Sequence, residues 1–333
     1  MARVPLPLAV SLGDPAGIGP DILLAAHAAG DLPPFVAIGD GEALARRAQL
    51  LGLRTKIRVA AGGTGRSARA IDVIDAGRAK GQAGKPDPAD GVLIAGAIET
   101  AVAMVHDGRA GAVVTCPVSK ANLYQSGFRF PGHTEFLAHL AGRHWGGTHR
   151  PAMMLAAPGL RTVPVTIHIP LGAVAASLTT AAIVETGRIV ARDLASRFGI
   201  ARPRLAVAGL NPHAGEGGAL GREDADIVAP AVKQLRAEGI EASGPLPADT
   251  LFHAAARKRH DAAICMYHDQ ALIPVKTLAF ERAVNVTLGL PFVRTSPDHG
   301  TAFDIAGSGK ADPRSFIAAM RLAARLAERG REA

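Results

Sequence analysis

Three histidines share one local pattern in this sequence. Each follows an apolar, β-rich stretch and precedes turn residues: His168 in VTIHIPLG, His213 in LAVAGLNPHAGEGG and His268 in ICMYHDQALIP. In parallel α/β proteins, ligands bind beyond the carboxyl ends of the strands, where these side chains would lie. A single such histidine is more often structural, but three together favour a divalent metal site, with Asp249 and Asp269 as additional carboxylates. Their wide spacing matches no local finger motif, so the fold itself must assemble the site.

A second group of residues is suited to binding phosphate or carboxylate. In PGHTEFLAHLAG, His133 and Thr134 stand at the start of an apolar-faced helix, where free N–H groups can hold an anion. A plain capped helix with a surface histidine explains the same spacing. Lys276, Asn285 and Arg294 follow at intervals of nine residues, and each is a suitable grip for an anionic group. Surface cations are common, so their position after the third histidine is what makes them candidates.

Two glycine-containing segments lie between predicted strands and helices. GDPAGIGP, near the start, forms a tight turn that lacks the GxGxxG spacing and the acidic residue expected about 20 positions later. Its glycines could equally serve close packing of helix on sheet. SPDHGTAFDIAGSGKADP forms a long polar loop before the last helix, and loops of this length in compact domains tend to be functional.

The elements that must position these residues alternate between apolar strands and Ala/Leu-rich helices. The 333 residues, 48% of them hydrophobic, are enough for two cores, so we expect two domains of doubly wound α/β type. Strands are predicted at LAVSLG, FVAIGD, AVVTCPVSK, MMLAA, VPVTIHIP and DAAICMYH. The clearest helices are predicted over residues 94–106, 180–198, 222–238, 251–259 and 313–328.

Composition narrows the class of protein. The net charge of +8 comes from scattered residues without a basic block, and aromatic residues make up only 4%, so no nucleic-acid partner is expected. A modest positive field suits a phosphorylated substrate. Cys116 and Cys265 lie in apolar runs without CxxC spacing, as buried thiols of a reducing compartment do. No cleavage region follows the first apolar stretch, and residues 162–184 are interrupted by prolines, so a cytoplasmic protein without membrane contact is expected.

These motifs resemble those of known dehydrogenases. SPDHGTAFDIAG closely resembles the adenosine-binding loop of the isocitrate and isopropylmalate dehydrogenase superfamily, and GDPAGIGP is similar to that superfamily's first turn. Members of that group bind the dinucleotide without a Rossmann fingerprint and hold their metal with aspartates, whereas histidines stand here. With PGHTEFLA, MYHDQALIPVK and NVTLGLPFVRTSPDHGTAFDIAG, nearly the whole chain resembles the 4-hydroxythreonine-4-phosphate dehydrogenase family of pyridoxal phosphate biosynthesis.

The resemblance implies roles for individual residues. It places substrate contacts on His133, Thr134, Lys276, Asn285 and Arg294, metal ligands on His168, His213 and His268, and cofactor contacts on His299, Gly300, Thr301 and Asp304. Lys276 is one candidate general base, and a metal-linked water is another. No role carries over to Lys120. The implied architecture is a homodimer with active sites shared between protomers, each in a cleft between domains 1–125 plus 275–333 and 126–274.

The implied reaction is an oxidation that depends on NAD and a divalent metal, with Zn²⁺, Co²⁺ and Mg²⁺ as the candidate ions. It would convert 4-phosphohydroxy-L-threonine to 2-amino-3-oxo-4-phosphooxybutanoate, which loses CO₂ to give 3-amino-2-oxopropyl phosphate. Asp304 would hydrogen-bond a ribose 2′-hydroxyl and repel a 2′-phosphate, which favours NAD over NADP. Dehydrogenases of 4-phospho-D-threonate or 4-phospho-D-erythronate share the motifs. A phosphate acyltransferase and a phosphometabolite-binding sensor are the rivals from other classes.

Overall fold

The apolar stretches of four to six residues form strands whose side chains are buried on both faces, as parallel strands covered by helices are. The computed structural model describes residues 5–30, 32–59 and 70–330. They form two units: one holds the residues up to Pro151 and those from Leu290 on, and the other holds Ala152–Gly289.

The first unit begins with five strands and five helices. In chain order these are β1 (Leu8–Ser11), α1 (Gly19–Ala29), β2 (Phe35–Gly39), α2 (Gly41–Leu50), β3 (Lys56–Val59), β4 (Ala70–Asp75), α3 (Asp90–His106), β5 (Val113–Thr115), α4 (Lys120–Gln125) and α5 (His133–Trp145). The second unit follows with β6 (Ala152–Ala157), β7 (Leu160–Pro164), α6 (Val174–Ser177), α7 (Thr180–Ser196), β8 (Arg204–Ala208), α8 (Ala229–Ala237), β9 (Glu241–Leu246), α9 (Ala254–Arg257), β10 (Ala262–Cys265), α10 (His268–Ala279) and β11 (Val284–Leu288). The chain then returns to the first unit with β12 (Arg294–Pro297) and α11 (Arg314–Arg329).

The strands of the first unit lie in the order β3-β4-β2-β1-β5-β12, and each paired neighbour runs parallel. Ser11 pairs with Thr115, so β1 and β5 end at the same edge of the sheet. Helices α3 and α5 share one buried core, in which Ile98 and Leu140 take part. Helix α5, which begins at His133, is therefore anchored in the first unit.

The strands of the second unit lie in the order β11-β6-β7-β10-β8-β9. Strands β11, β6 and β7 are antiparallel neighbours, whereas β7, β10, β8 and β9 run parallel. Gly159, with φ +77°, occupies the tight turn between β6 and β7 that only a residue tolerant of positive φ fits easily. The carboxyl ends of β7, β10 and β8 lie side by side, and these are the strands that precede His168, His268 and His213.

The observed division of the chain lies later than the boundaries 125/126 and 274/275 that the resemblance implied. The physical reason lies in two helices. Helix α5 packs with α3 in the first unit's core, and α10 contributes Leu272 and Val275 to the second unit's core beside Leu155 and Cys265.

Several elements differ from the sequence-based expectation. The strand predicted through His268 ends at Cys265, and His268 instead begins α10, which contains Pro274. Strand β4 lies in the Gly/Ser/Pro-rich stretch 62–91, where no strand was expected, and residues 62–69 fall outside the described part. Among the described residues, no single helix is long and apolar enough to cross a membrane. The segments Leu171–Ser177 and Thr180–Ser196 meet that criterion only when joined, and they are bent by 92°.

Candidate active site

Two of the three strand-end histidines lie together in the second unit. The ring centroids of His168 and His268 are 5.5 Å apart, a spacing that fits two ligands of one ion. Both rings line a cavity of about 220 Å³, along with Thr166, Tyr267 and Asp269. The ends of β7 and β10 thus place two imidazoles around one small space.

Asp269 orients the ring of His268. Its Oδ1 lies 2.6 Å from His268 Nδ1, and a carboxylate accepts a hydrogen bond, so Nδ1 carries the proton. The lone pair of His268 is then on Nε2. A carboxylate behind a histidine is the usual arrangement for orienting a metal ligand.

The backbone is left-handed at two of the three histidines. His168 has φ 53° and His213 has φ 52°, and the left-handed run continues through Ala214, Gly215, Glu216 and Gly217. For a residue with a Cβ this conformation costs roughly 1–2 kcal/mol. Such strain persists where surrounding contacts enforce it, and it clusters at functional sites.

The loop that carries His213 is held by a buried carboxylate. Asp224, 1% exposed, accepts hydrogen bonds from Leu210 N at 2.7 Å and from Asn211 N at 3.0 Å. These bonds satisfy the carboxylate and fix the backbone that leads to His213.

Gln270 joins two of the strand ends. Its Nε2 donates to Gly209 O at 2.8 Å, and its Oε1 accepts from Met266 N at 2.7 Å. Gly209 follows β8 directly, and Met266 follows β10 directly. One buried amide therefore connects the segment leading to His213 with the one leading to His268.

The described part of the chain does not gather a complete metal site by itself. Within residues 5–30, 32–59 and 70–330, no group of three or more His, Cys, Asp or Glu side chains lies close enough to hold an ion. The fold brings His168 and His268 together, but His213 and Asp249 do not join them in such a group. The imidazole pair still fits a divalent ion chemically, because imidazole nitrogen suits zinc and cobalt more than magnesium.

Lys276 and Asn285 also belong to the second unit. Lys276 lines a cavity of about 430 Å³ with His268 and Asp269, and its Nζ lies 5.7 Å from the ring centroid of Phe280. Asn285 lies in β11 opposite Leu155 of β6 and is half-buried. Lys276 thus shares a cavity with a candidate metal ligand, as a proton-transfer group near a reacting centre would.

In the first unit, Arg294 and His133 are in contact. Arg294 Nη2 lies 2.6 Å from Thr115 Oγ1 and 3.3 Å from His133 Nδ1. Burial lowers the pKa of Arg294 to about 10, so the guanidinium remains charged at neutral pH. Burial and this neighbouring charge hold the pKa of His133 well below its usual range, so its ring is neutral. Thr134 follows His133 in the first turn of α5, and the group as a whole presents one buried positive charge and hydrogen-bond donors.

The glycine-rich turn after β1 contacts the long loop after β12. Ile18 N donates to Thr301 O at 2.9 Å, and a Cβ on Gly17 would lie 2.9 Å from that same oxygen. Gly307 N donates to Asp21 Oδ1 at 2.7 Å. The two glycine-containing motifs, distant in sequence, therefore form one structure.

A buried ion pair between Asp21 and Arg47 stabilises the contact between the turn and the loop. The Arg47 guanidinium also donates to Gly17 O and Pro15 O, each at 3.0 Å. Because both charges are buried, each depends on the other for its stability.

The loop offers polar atoms to a ligand. His299 Nδ1 lies 3.2 Å from Gly300 O, which places the proton on Nδ1. Its Nε2 is then an acceptor, and it is buried with no hydrogen-bond partner among the described residues. Asp304 is exposed. The nitrogen acceptor of His299 and the exposed carboxylate of Asp304 can both accept hydrogen bonds from hydroxyl groups. A ligand that carries hydroxyls, such as the ribose of a nucleotide, therefore fits this loop.

The sequence profile of the family described as pyridoxal phosphate biosynthetic protein PdxA matches residues 31–323. The chain belongs to this family. It is 56% identical to a 4-hydroxythreonine-4-phosphate dehydrogenase of Bradyrhizobium diazoefficiens over 335 residues, which cover 96% of this chain and 97% of that protein. Among solved structures, the 4-hydroxythreonine-4-phosphate dehydrogenase of Klebsiella pneumoniae matches with TM-score 0.88 and 39% identity, over 98% of this chain and 99% of that one. A terephthalate 1,2-cis-dihydrodiol dehydrogenase of Burkholderia xenovorans matches with TM-score 0.64 and 32% identity, over 96% and 98%.

Membership of the PdxA family confirms the resemblance and the mixed α/β fold expected from the sequence. Sequence reasoning missed the residues that hold the site rather than form it: Thr115, Asp224, Gln270, Asp21 and Arg47. Gln270 stands inside the quoted motif ICMYHDQALIP, and Asp21 directly follows GDPAGIGP, so their positions were a usable signal. Thr115, Asp224 and Arg47 carry no local signal, because their partners are distant along the chain.

Proposed function

We propose that this chain catalyses the oxidation of 4-phosphohydroxy-L-threonine to 2-amino-3-oxo-4-phosphooxybutanoate, which decarboxylates to 3-amino-2-oxopropyl phosphate. The observation that carries this proposal is the 56% identity, over almost the whole length of both chains, with a relative named for that dehydrogenase. The contact between Arg294 and His133 supports it from the structure, because it is suited to an anionic substrate.

We propose a divalent metal ion held by His168, His213 and His268. The pairing of two of these rings and the carboxylate behind His268 support this proposal. When bound, such an ion supplies Lewis acidity, which favours ionisation of a coordinated hydroxyl and stabilises an enolate. Because His213 joins no group with the other two among the described residues, we propose a homodimer that completes each site, with His213 and His268 of one site on different protomers.

The chain's own residues would bind and orient the substrate. Arg294 and the N–H of His133 provide a charge and a donor for phosphate oxygens, and Thr134 adds a hydroxyl in the same turn. Lys276 and Asn285 would contact the rest of the substrate. Lys276, which lines a cavity with His268, is the candidate for accepting the hydroxyl proton, although a metal-linked water could do the same.

The loop from His299 to Asp304 would bind the nicotinamide cofactor through its ribose and phosphates. The acceptor Nε2 of His299 and the contacts of Thr301 with the glycine-rich turn support this role, with Gly300 allowing close approach. The exposed carboxylate of Asp304 favours NAD, since it would repel the 2′-phosphate of NADP. We place the enzyme in the cytoplasm, in keeping with two buried, unpaired cysteine thiols.

The deciding experiment follows NADH formation with 4-phosphohydroxy-L-threonine and, in parallel, with 4-phospho-D-threonate and 4-phospho-D-erythronate. Each substrate is tested after chelation and after restoring Zn²⁺, Co²⁺ or Mg²⁺. We expect turnover of the amino substrate that chelation abolishes and metal restores. Turnover of the threonate or erythronate alone would overturn the substrate assignment. Acyl transfer to phosphate that survives chelation would point instead to a phosphate acyltransferase.

A further inference from the structure

Thr115 is the last residue of β5 and is fully buried. Its Oγ1 lies 2.6 Å from Arg294 Nη2, and the same nitrogen lies 3.3 Å from His133 Nδ1. A guanidinium Nη carries two hydrogens and no acceptor, so it can serve both neighbours only as a donor. The hydroxyl of Thr115 takes one hydrogen and thereby directs the other toward the imidazole.

This arrangement determines the tautomer of His133. Because Arg294 can only donate, His133 Nδ1 must be the unprotonated nitrogen and Nε2 must carry the hydrogen. Nε2 is buried and has no hydrogen-bond partner among the described residues. The ring therefore presents one N–H donor that nothing in the described part of the first unit satisfies.

We propose that Thr115 is a positioning residue, which acts through Arg294 to hold His133 as the Nε2–H tautomer and so keeps that N–H directed at an anionic oxygen of the substrate. The identity of the anion rests on the proposed function. The tautomer does not, since it follows from contacts within the first unit alone.

Two substitutions of Thr115 distinguish a positioning role from a purely structural one. Its methyl group and hydroxyl are both buried, so Thr115→Val keeps the shape and removes only the acceptor. Arg294 Nη2 would then lose the acceptor that directs its second hydrogen toward the imidazole, and the two tautomers of His133 would mix. Thr115→Ser keeps the hydroxyl and removes only the methyl group, so it is the matched control.

The first test is ¹⁵N NMR of the full chain labelled in histidine, with the His133 signals assigned through His133→Asn. We expect an unprotonated Nδ1 and a protonated Nε2 in the wild type and in Thr115→Ser, and averaged signals in Thr115→Val. An Nδ1–H tautomer in the wild type, or an unchanged pattern in Thr115→Val, would overturn the proposal. This readout needs no turnover, so its outcome stands apart from the proposed reaction.

The second test separates KM from kcat with 4-phosphohydroxy-L-threonine and NAD. We expect Thr115→Val to raise KM about tenfold, the size of a weakened charge-assisted hydrogen bond, and Thr115→Ser to stay within about twofold. Thermal melting of both variants monitors folding. Equal losses in Thr115→Val and Thr115→Ser would show a packing role and contradict the proposal. An inactive wild type with the expected tautomer would count against the proposed reaction alone.

Discussion

Loss of solvent contact lowers the pKa of three histidines in the first and second units. Burial lowers the pKa of His27 and His260 from the ordinary value of 6.5, and burial together with Arg294 lowers that of His133 further. Below pH 6.5 the unfolded chain therefore binds more protons at these positions than the native protein does. The stability that these neutral histidines contribute is fully present above that pH. It is lost as the pH falls from 6.5 toward the folded-state pKa of each residue.

His260 offers the cleanest test of this linkage, since it has no role in the proposed site. We expect His260→Asn to reduce the loss of unfolding free energy between about pH 7.5 and 5.5, by at most about 1.4 kcal/mol per pH unit. Urea denaturation at both pH values measures the difference. His253→Asn, at an exposed position, is the control and should keep the wild-type pH dependence. A wild-type dependence in His260→Asn would refute the assignment.

At the same scale, some contacts could be anticipated from the sequence and others could not. His168, His213 and His268 became candidate metal ligands because a strand-then-turn pattern is local, and their role as ligands stays a prediction. The hydrogen bond between Arg294 and Thr115 joins residues 179 positions apart, and neither residue type signals the other. Likewise, no local feature of α2 shows that Arg47 pairs with Asp21. Contacts of this kind depend on which strands are neighbours in the sheet, so they become visible only when the strand order is known.

At the scale of elements, the segments after β8 and β10 are connected, because the side chain of Gln270 forms a hydrogen bond with the backbone of each. The orientation of His268 on α10 therefore depends on the loop that leads to His213. A displacement of either segment would move a candidate metal ligand. The run after Pro212 is left-handed, a strained conformation for the residues in it that carry a Cβ.

Replacing Gln270 with Met keeps its length and removes both hydrogen bonds. We expect Gln270→Met to lower the free energy of unfolding by about 2–4 kcal/mol, since Met266 N–H and Gly209 C=O are left buried and unpaired. We also expect a 10–100-fold weaker affinity for Zn²⁺ or Co²⁺, measured by calorimetry on the apo protein. Gln234→Met, on the exposed side of α8, should change neither quantity. Undiminished metal affinity in a folded Gln270→Met would contradict the link.

Helices and strands were predicted correctly where hydrophobic periodicity was strong. The prediction failed where prolines or glycines lay in or near an element. Helices α3, α7 and α11 were expected close to their observed bounds. Helix α10 was missed because Pro274 and the preceding turn residues argued against a helix, although packing of Leu272 and Val275 in the core stabilises it. Strand β4 was missed because its six residues, AIDVID, do not alternate between apolar and polar and lie among glycines and prolines.

At the scale of the whole molecule, the proposed homodimer would complete the proposed metal site with a residue from each chain. One chain pairs His168 with His268, and His213 stays outside any group of three among the described residues. A closed two-fold dimer supplies two copies of every residue, so the proposed arrangement would form two shared sites by symmetry. Each site then fails if either protomer lacks its contribution.

Mixing two inactive variants tests this sharing. We expect His213→Ala and His268→Ala homodimers to be inactive, while their isolated heterodimer, prepared by co-expression with two affinity tags, has one intact site and about half the wild-type activity. A doubly tagged His213→Ala dimer prepared in the same way serves as the control and should stay inactive. An inactive heterodimer of normal fold and mass would place all three histidines in one protomer.

The first unit is discontinuous along the chain, since β12 and α11 arrive only after the whole of the second unit. During synthesis, the second unit is contiguous and can fold as soon as it emerges, whereas the sheet of the first unit lacks its last strand until translation is nearly complete. Its parallel strands also need distant partners, which slows pairing. A ribosome-bound chain would thus expose an unpaired edge of the first unit's sheet, where β12 has yet to be added, and a chaperone would be most useful during this interval.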